Sequence, residues 1–179
     1  MRVYRKLHPL EEPRLRDHLL RLSPEDRRRR FFAGVSDETI AAHCRRVDWL
    51  KAIIIGFFDD GTLRGAAELR LETGCLPFAA ELALSVETEW QNQGIGTELV
   101  RRALIAAGNR GVASVQMVCL AENQRVQRIA RKHASRIAAS QGEAEAVIPV
   151  PLPTHLSIVE EVVGDGVGLI VGCWSELAR

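Results

Sequence analysis

The residues whose types and spacing best suggest chemistry run from Gln91 to Thr97, Gln91-Asn92-Gln93-Gly94-Ile95-Gly96-Thr97. Two glycines two apart permit a tight turn and close backbone approach. An apolar stripe at i, i+4 (Ile95, Leu99, Ala103, Ala107) follows at once and predicts a helix over Gly94–Arg110. A loop of this kind leaves the first amides of the helix free, and free amides at a helix N-terminus suit a phosphate or pyrophosphate. The segment lacks the Lys-Ser/Thr of a P-loop and the third glycine of a dinucleotide-binding GxGxxG. A glycine loop by itself is equally compatible with a structural turn.

Other chemistries find less support. The four cysteines, Cys44, Cys75, Cys119 and Cys173, form no CxxC pair, and the five histidines show no HxxxH or HExxH spacing. A metal centre is therefore not expected. The formal net charge of +1 gives no global field for nucleic acid or an acidic membrane. The first residues are charged and amphipathic, unlike a signal peptide, and no apolar run approaches the ~20 residues that span a bilayer. Free thiols in a cytoplasmic protein are the expectation.

The elements that must position the loop read as follows. Arg2–Lys6 suits a strand and Glu11–Leu22 a helix. Ser23-Pro24 caps a second helix, and Ser36–Leu50 reads as a third. Ala52–Phe58 and Leu63–Leu71 flank Asp60-Gly61, a hairpin signal. Pro77 opens an extended segment, Phe78–Val86, with Leu82, Leu84 and Val86 on one face and Glu81, Ala83 and Ser85 on the other. Val112–Leu120 is a predicted strand and Asn123–Arg136 a basic helix. Glu143–Val150 alternates weakly as a strand, His155–Val163 suits a short helix, and Val167–Trp174 a final strand. With 179 residues, 46% of them hydrophobic, this order predicts one α/β (α+β) domain over residues 1–179 around a central mixed, mostly antiparallel twisted sheet flanked by helices.

Gln91-x-x-Gly94-x-Gly96 after a strand and before a helix resembles motif A of the GNAT N-acetyltransferases. Asn123, just after the next strand, resembles the asparagine with which that family contacts the pantetheine arm. The likeness covers about residues 80–136. Ala80-Glu81-Leu82-Ala83, Glu89-Trp90-Gln91, Leu22-Ser23-Pro24-Glu25 and Arg30-Phe31-Phe32 further resemble the GNAT domain of bacterial protein-lysine acetyltransferases.

The resemblance implies transfer of an acetyl group from acetyl-CoA to a primary amine, on a small molecule or a protein lysine, by direct attack and without a metal. It implies a CoA site built from Gln91, Asn92, Gln93, Gly94, Ile95, Gly96, Thr97 and Asn123, with the backbone of Leu84 and Val86 holding the thioester arm. An ammonium substrate must lose a proton before it attacks, and Glu81 is the candidate base, with Glu68 and Glu72 in reserve. The family's tyrosine, seven residues past the asparagine, is replaced by Ala130, and Ala134-Ser135 stand where a glycine-phenylalanine often follows. The usual acid for the leaving thiolate is thus missing; Ser85, Cys119 or water are the substitutes. That gap keeps a non-catalytic acyl-CoA-binding module in view. Arg125, Arg128, Arg131, Lys132 and Arg136 make a basic helix face, some of it available to CoA phosphates. The Arg27–Arg30 run is read as a surface helix, with recognition of an acidic substrate patch as the lesser alternative.

Overall fold

In a computed structural model the chain is described over residues 1–72, 74, 78–134, 136–140 and 142–177, with the backbone alone from residue 167. Cys75, Pro77 and Ser135 lie outside the described residues, as does the side chain of Cys173.

Among the described residues seven strands form one sheet, in the order β1-β2-β3-β4-β5-β7-β6. They are β1 (Arg2–Lys6), β2 (Ala52–Asp59), β3 (Thr62–Leu71), β4 (Ala79–Val86), β5 (Ser114–Leu120), β6 (Arg136–Ser140) and β7 (Glu143–Pro149). All neighbours are antiparallel except β4 and β5. The β2–β3 hairpin turns on Asp60 (φ 46°) and Gly61 (φ 75°), the left-handed pair that a two-residue turn of the strand's own twist requires.

The helices are α1 (Glu12–Arg21), α2 (Pro24–Phe31), α3 (Asp37–Arg45), α4 (Ile95–Gly108), α5 (Gln124–Arg131) and α6 (His155–Leu177). Ser23 and Ser36 cap α2 and α3 through their side chains, accepting from Asp26 N–H and Thr39 N–H. One sheet face packs under α4, where Leu99, Val100 and Ala103 meet Phe57, Leu69 and Leu82. The other packs under α1 and α3, where Leu15, Leu19 and Ile40 meet Ile54, Phe58 and Leu63. Alternation along β2 and β3 therefore feeds two cores at once, and both strands read as nearly continuous apolar runs.

Two expectations are corrected. Val167–Trp174 is not a strand: it continues α6, which packs on β1 and α4. A continuous apolar run fits a buried strand or a helix equally, and here the contacts of the preceding turns decide. Lys6 binds Glu161 and Asp165, and Asn109 binds the Ser157 carbonyl at 3.1 Å. The predicted basic helix 123–136 stops at Arg131, and Arg136–Ser140 becomes edge strand β6, because it pairs with β7.

Candidate active site

β4 and β5 pair only at Ala79–Ser114, Ala80–Val115 and Glu81–Gln116, and then separate. The opening between them is a cleft of about 370 Å3. β4 forms one wall, α5 with the end of β5 the other, α2 lies across it, and the N-terminus of α4 closes one end.

The register fixes which backbone groups face this opening. Glu87 N–H donates to Arg64 O at 3.0 Å and Glu72 N–H to Ala79 O at 2.9 Å. Odd-numbered residues of β4 thus bond to β3, and the even-numbered ones, Leu82, Leu84 and Val86, direct their N–H and C=O groups the other way. Val86 O is taken by Gln91 Nε2 at 2.9 Å. The amides of Leu84 and Val86 remain turned toward the cleft, ready for a chain lying alongside.

Past β4 the chain makes a 3-10 turn at Thr88–Trp90, then takes left-handed backbone at Asn92 (φ 61°) and Gly94 (φ 82°). The two motif glycines have different reasons. Gly94 is the N-cap of α4 in a conformation that disfavours other side chains, and it has none with which to cap the helix. The first helical bond, Glu98 N–H to Gly94 O, leaves the amides of Ile95, Gly96 and Thr97 without helical partners. Gly96 permits close packing: a Cβ there would stand 3.1 Å from Ile129 Cδ1 and 3.3 Å from Leu84 Cδ2.

Of the predicted residues, Glu81, Leu84, Val86, Gln91, Asn92, Gly94, Gly96, Thr97 and Asn123 line the cleft. Ile95 turns its side chain into the core, and Gln93 Nε2 binds the Glu89 carbonyl at 3.0 Å, so these two offer only backbone. The Gln91 side chain is a staple. Its amide donates to Asp26 (3.1 Å) and Val86 O, and its oxygen accepts from Arg125. Asn123 caps α5, its oxygen accepting from Val126 N–H at 3.3 Å. Among the described residues nothing accepts from its amide nitrogen.

Glu81 is exposed, on the sheet face opposite α4. The reserve candidates fare differently. Glu72 is exposed and does not line the cleft. Glu68 is buried among Arg30 (2.8 Å), Arg70 (2.5 Å) and His43 (3.2 Å). Burial pushes its carboxyl up, but the His43 hydrogen bond and the charges of Arg30, His43 and Arg70 outweigh this and hold it at about 2. So stabilised an anion is a poor proton acceptor. Ala130 is buried at the position of the missing tyrosine, and Tyr4 packs on Phe57 away from the cleft. Cys119 lines the cleft with its thiol pushed up by burial.

The helix α2, expected mainly as a surface element with an acidic-patch role as the lesser alternative, contributes to the cleft wall. Arg27–Arg30 is only in part a surface run: Arg30 is mostly covered, its guanidinium paired with Glu68, and Asp26, Arg29, Arg30 and Phe32 line the cleft. Asp26 accepts from Ser23, Thr88 and Gln91, bonds that outweigh burial and lower its carboxyl. The only advance signal was Phe31-Phe32 after the basic run. On the opposite wall Arg125, Arg128 and Lys132 share one exposed face of α5, and no carboxylate pairs with them among the described residues. The arrangement therefore offers open helix amides and cations at one end, unpaired strand edge along the middle, and a carboxylate where β4 and β5 meet.

The family model of the GNAT acetyltransferases matches residues 4–134. No curated protein sequence matches the chain. Among solved structures, the GNAT domain of a PAT from S. lividans superposes with a TM-score of 0.69 at 16% identity, covering 82% of this chain and 89% of that one. The ribosomal-protein-S18-alanine N-acetyltransferase from Escherichia coli gives 0.61 at 16% identity over 87% and 97%. The PaiA N-acetyltransferase from Thermoplasma acidophilum, solved with coenzyme A, gives 0.58 at 20% identity over 82% and 98%. At these identities the superpositions speak to the fold.

Proposed function

The chain belongs to the GNAT acetyltransferase family, and on that footing we propose that it moves the acetyl group of acetyl-CoA to a primary amine by direct attack. The observation that carries this reading is the parting of β4 and β5 onto the uncapped start of α4. CoA would hold its pyrophosphate on the amides of Ile95–Thr97, with Arg125, Arg128 and Lys132 near its phosphates. Its pantetheine arm would run along Leu84 and Val86 toward Asn123. Bound there, the thioester is the activated acyl donor. An amide of β4 turned toward the carbonyl stabilises the oxyanion as it forms.

Glu81 removes the proton that keeps the acceptor an ammonium, directly or through water. Its exposure keeps it in exchange with solvent. Arg29, Arg30 and Phe32 shape the acceptor's approach, with the charge of Arg29 met by Glu25 and Asp26 and that of Arg30 by Glu68. A protein lysine and a small amine both fit such an approach. Residues 1–179 act as one unit, as the packing of α6 on β1 and α4 supports. The buried free thiols of Cys44 and Cys119 suit a reducing compartment such as the cytoplasm.

Calorimetric titration with acetyl-CoA, followed by thiol release over a panel of amines and lysine-containing proteins, tests the proposal. Binding with turnover that Glu81→Gln depresses is expected. Failure to bind acetyl-CoA refutes the whole scheme. A second reading, a non-catalytic acyl-CoA module, is favoured by Ala130. It requires tight binding, no turnover across the panel and no effect of Glu81→Gln.

A further inference from the structure

Beneath the β4 wall lies a buried constellation that the scheme above leaves unused. His18 of α1 is wholly buried. Its Nε2 stands 2.9 Å from Ser85 Oγ and its Nδ1 3.1 Å from Glu87 Oε1. Ser85 is 7% exposed and is among the residues that line the cleft. Glu87 also accepts from Arg21 Nε and Arg64 Nη1, both at 2.9 Å.

These contacts settle the hydrogen placement. Burial pushes Glu87 up, but the bonds from His18, Arg64 and Arg21 outweigh it, so Glu87 is a carboxylate. Burial holds His18 toward the neutral form, against the pull of Glu87 and with the help of Arg21 and Arg30. A neutral imidazole facing a carboxylate through Nδ1 carries its hydrogen there. Its Nε2 then accepts from the Ser85 hydroxyl. Carboxylate, imidazole and hydroxyl thus stand in the order that makes a hydroxyl exchange protons readily, and Ser85 occupies the strand whose neighbouring amides, Leu84 and Val86, face the cleft.

We propose that Ser85, backed by His18 and Glu87, carries a proton from the attacking nitrogen to the departing sulfur; this rests on the acetyl-transfer reading. Attack of the neutral amine forms the N–C bond and turns the carbonyl oxygen into an oxyanion, leaving the nitrogen positively charged. That nitrogen gives a proton to Ser85 Oγ as the Ser85 hydrogen passes to His18 Nε2. The carbonyl re-forms, the C–S bond breaks, and His18 returns the proton through Ser85 to the thiolate. The products are the amide and CoA thiol, and the relay ends as it began. Nitrogen and sulfur share one tetrahedral carbon, so a single hydroxyl reaches both. The relay supplies what Ala130 cannot. Ser85 is the group that meets the reacting atoms, and His18 is a positioning residue.

The test uses the full chain, acetyl-CoA and hydroxylamine, a small amine already neutral at pH 7, with thiol release as the readout. Ser85→Ala should lower kcat about 100-fold while its acetyl-CoA Kd stays at the wild-type value. Ser85→Thr, which keeps a hydroxyl, should recover part of the loss. His18→Ala should show the same kcat defect, relieved by added imidazole, an effect that lost packing alone would not produce. Should His18→Ala fail to fold, Ser85→Ala, which removes one oxygen, decides. Ser85→Ala turning over at the wild-type rate overturns the relay and leaves acetyl transfer standing. A wild-type protein that turns over neither hydroxylamine nor any amine of the panel overturns acetyl transfer, and the relay with it.

Discussion

Replacing Glu68 by Gln tests whether α2 is held over the cleft by a buried ion cluster. Glu68 is 3% exposed and is the anion for Arg30, Arg70 and His43. Its carboxyl stands at about 2 against an ordinary 4.5. That difference of about 2.5 units, at 1.36 kcal/mol each, amounts to about 3 kcal/mol of stability. Glu68→Gln should cost this much at pH 7 and up to ~5 kcal/mol, since it strands the buried Arg30 guanidinium. The sign with pH follows from the folded value lying below the unfolded one. The contribution is complete above pH 4.5 and drains away as the pH falls toward 2. Urea unfolding of both proteins from pH 7 to pH 3 reads the difference directly. The gap should hold above pH 5.5 and shrink below pH 4.5, with about 2 kcal/mol of it gone by pH 3. A gap below 1 kcal/mol at pH 7, or one constant down to pH 3, refutes the reasoning. Because Arg30 and its neighbours line the cleft, acceptor KM should rise in the variant at pH 7 while acetyl-CoA affinity changes little.

Glu81→Gln should lower kcat/KM for an alkylammonium acceptor about 100-fold at pH 7, with a smaller defect for hydroxylamine; equal defects for both would remove Glu81 from proton abstraction. Gly94→Asp puts a carboxylate beside the open amides of α4 in left-handed backbone, and acetyl-CoA Kd measured by calorimetry should rise at least about tenfold, or ~1.4 kcal/mol. Burial pushes the Cys44 thiol up to about 12, so peptide mapping after iodoacetamide at pH 8 should find Cys44 unmodified in the folded protein and labelled once urea unfolds it.

Local signals were legible where one short stretch contains all of its cause. The helix after Gly94, the Asp60-Gly61 turn and the alternation that leaves Glu81 outside are such cases, and each stands in the structure as its residues imply. Where the cause lies far along the chain, the reading failed. Val167–Trp174 is helical because the turns before it dock on Lys6 and Asn109. One near neighbour was missed as well: Arg136–Ser140 is a strand because the adjacent β7 pairs with it, where the helix expected over Asn123–Arg136 ran on to Arg136. The site divides in the same way. The Gln91–Thr97 loop at the start of α4 is contiguous and legible from its own residues. The role of α2 depends on Arg30 meeting Glu68 across 38 residues, and the Ser85–His18 contact spans 67; no spacing rule reaches that far.

The three residue pairs that join β4 to β5 have a mechanical meaning. The sheet is two slabs, one of four strands and one of three, hinged along a short seam. Elsewhere along that border the backbone lacks its neighbour, and a pantetheine arm, itself bearing amides, would stand in as the absent strand. The cosubstrate is then a rivet as well as a reagent. Occupancy should knit the slabs into one cooperative unit, raising the unfolding temperature with ligand concentration and slowing hydrogen exchange at the Leu84 and Val86 amides more than at the already paired Ala83 and Ser85. After transfer the CoA product would keep the pantetheine amides that pair along the seam, so the slabs would be freed only when the product leaves.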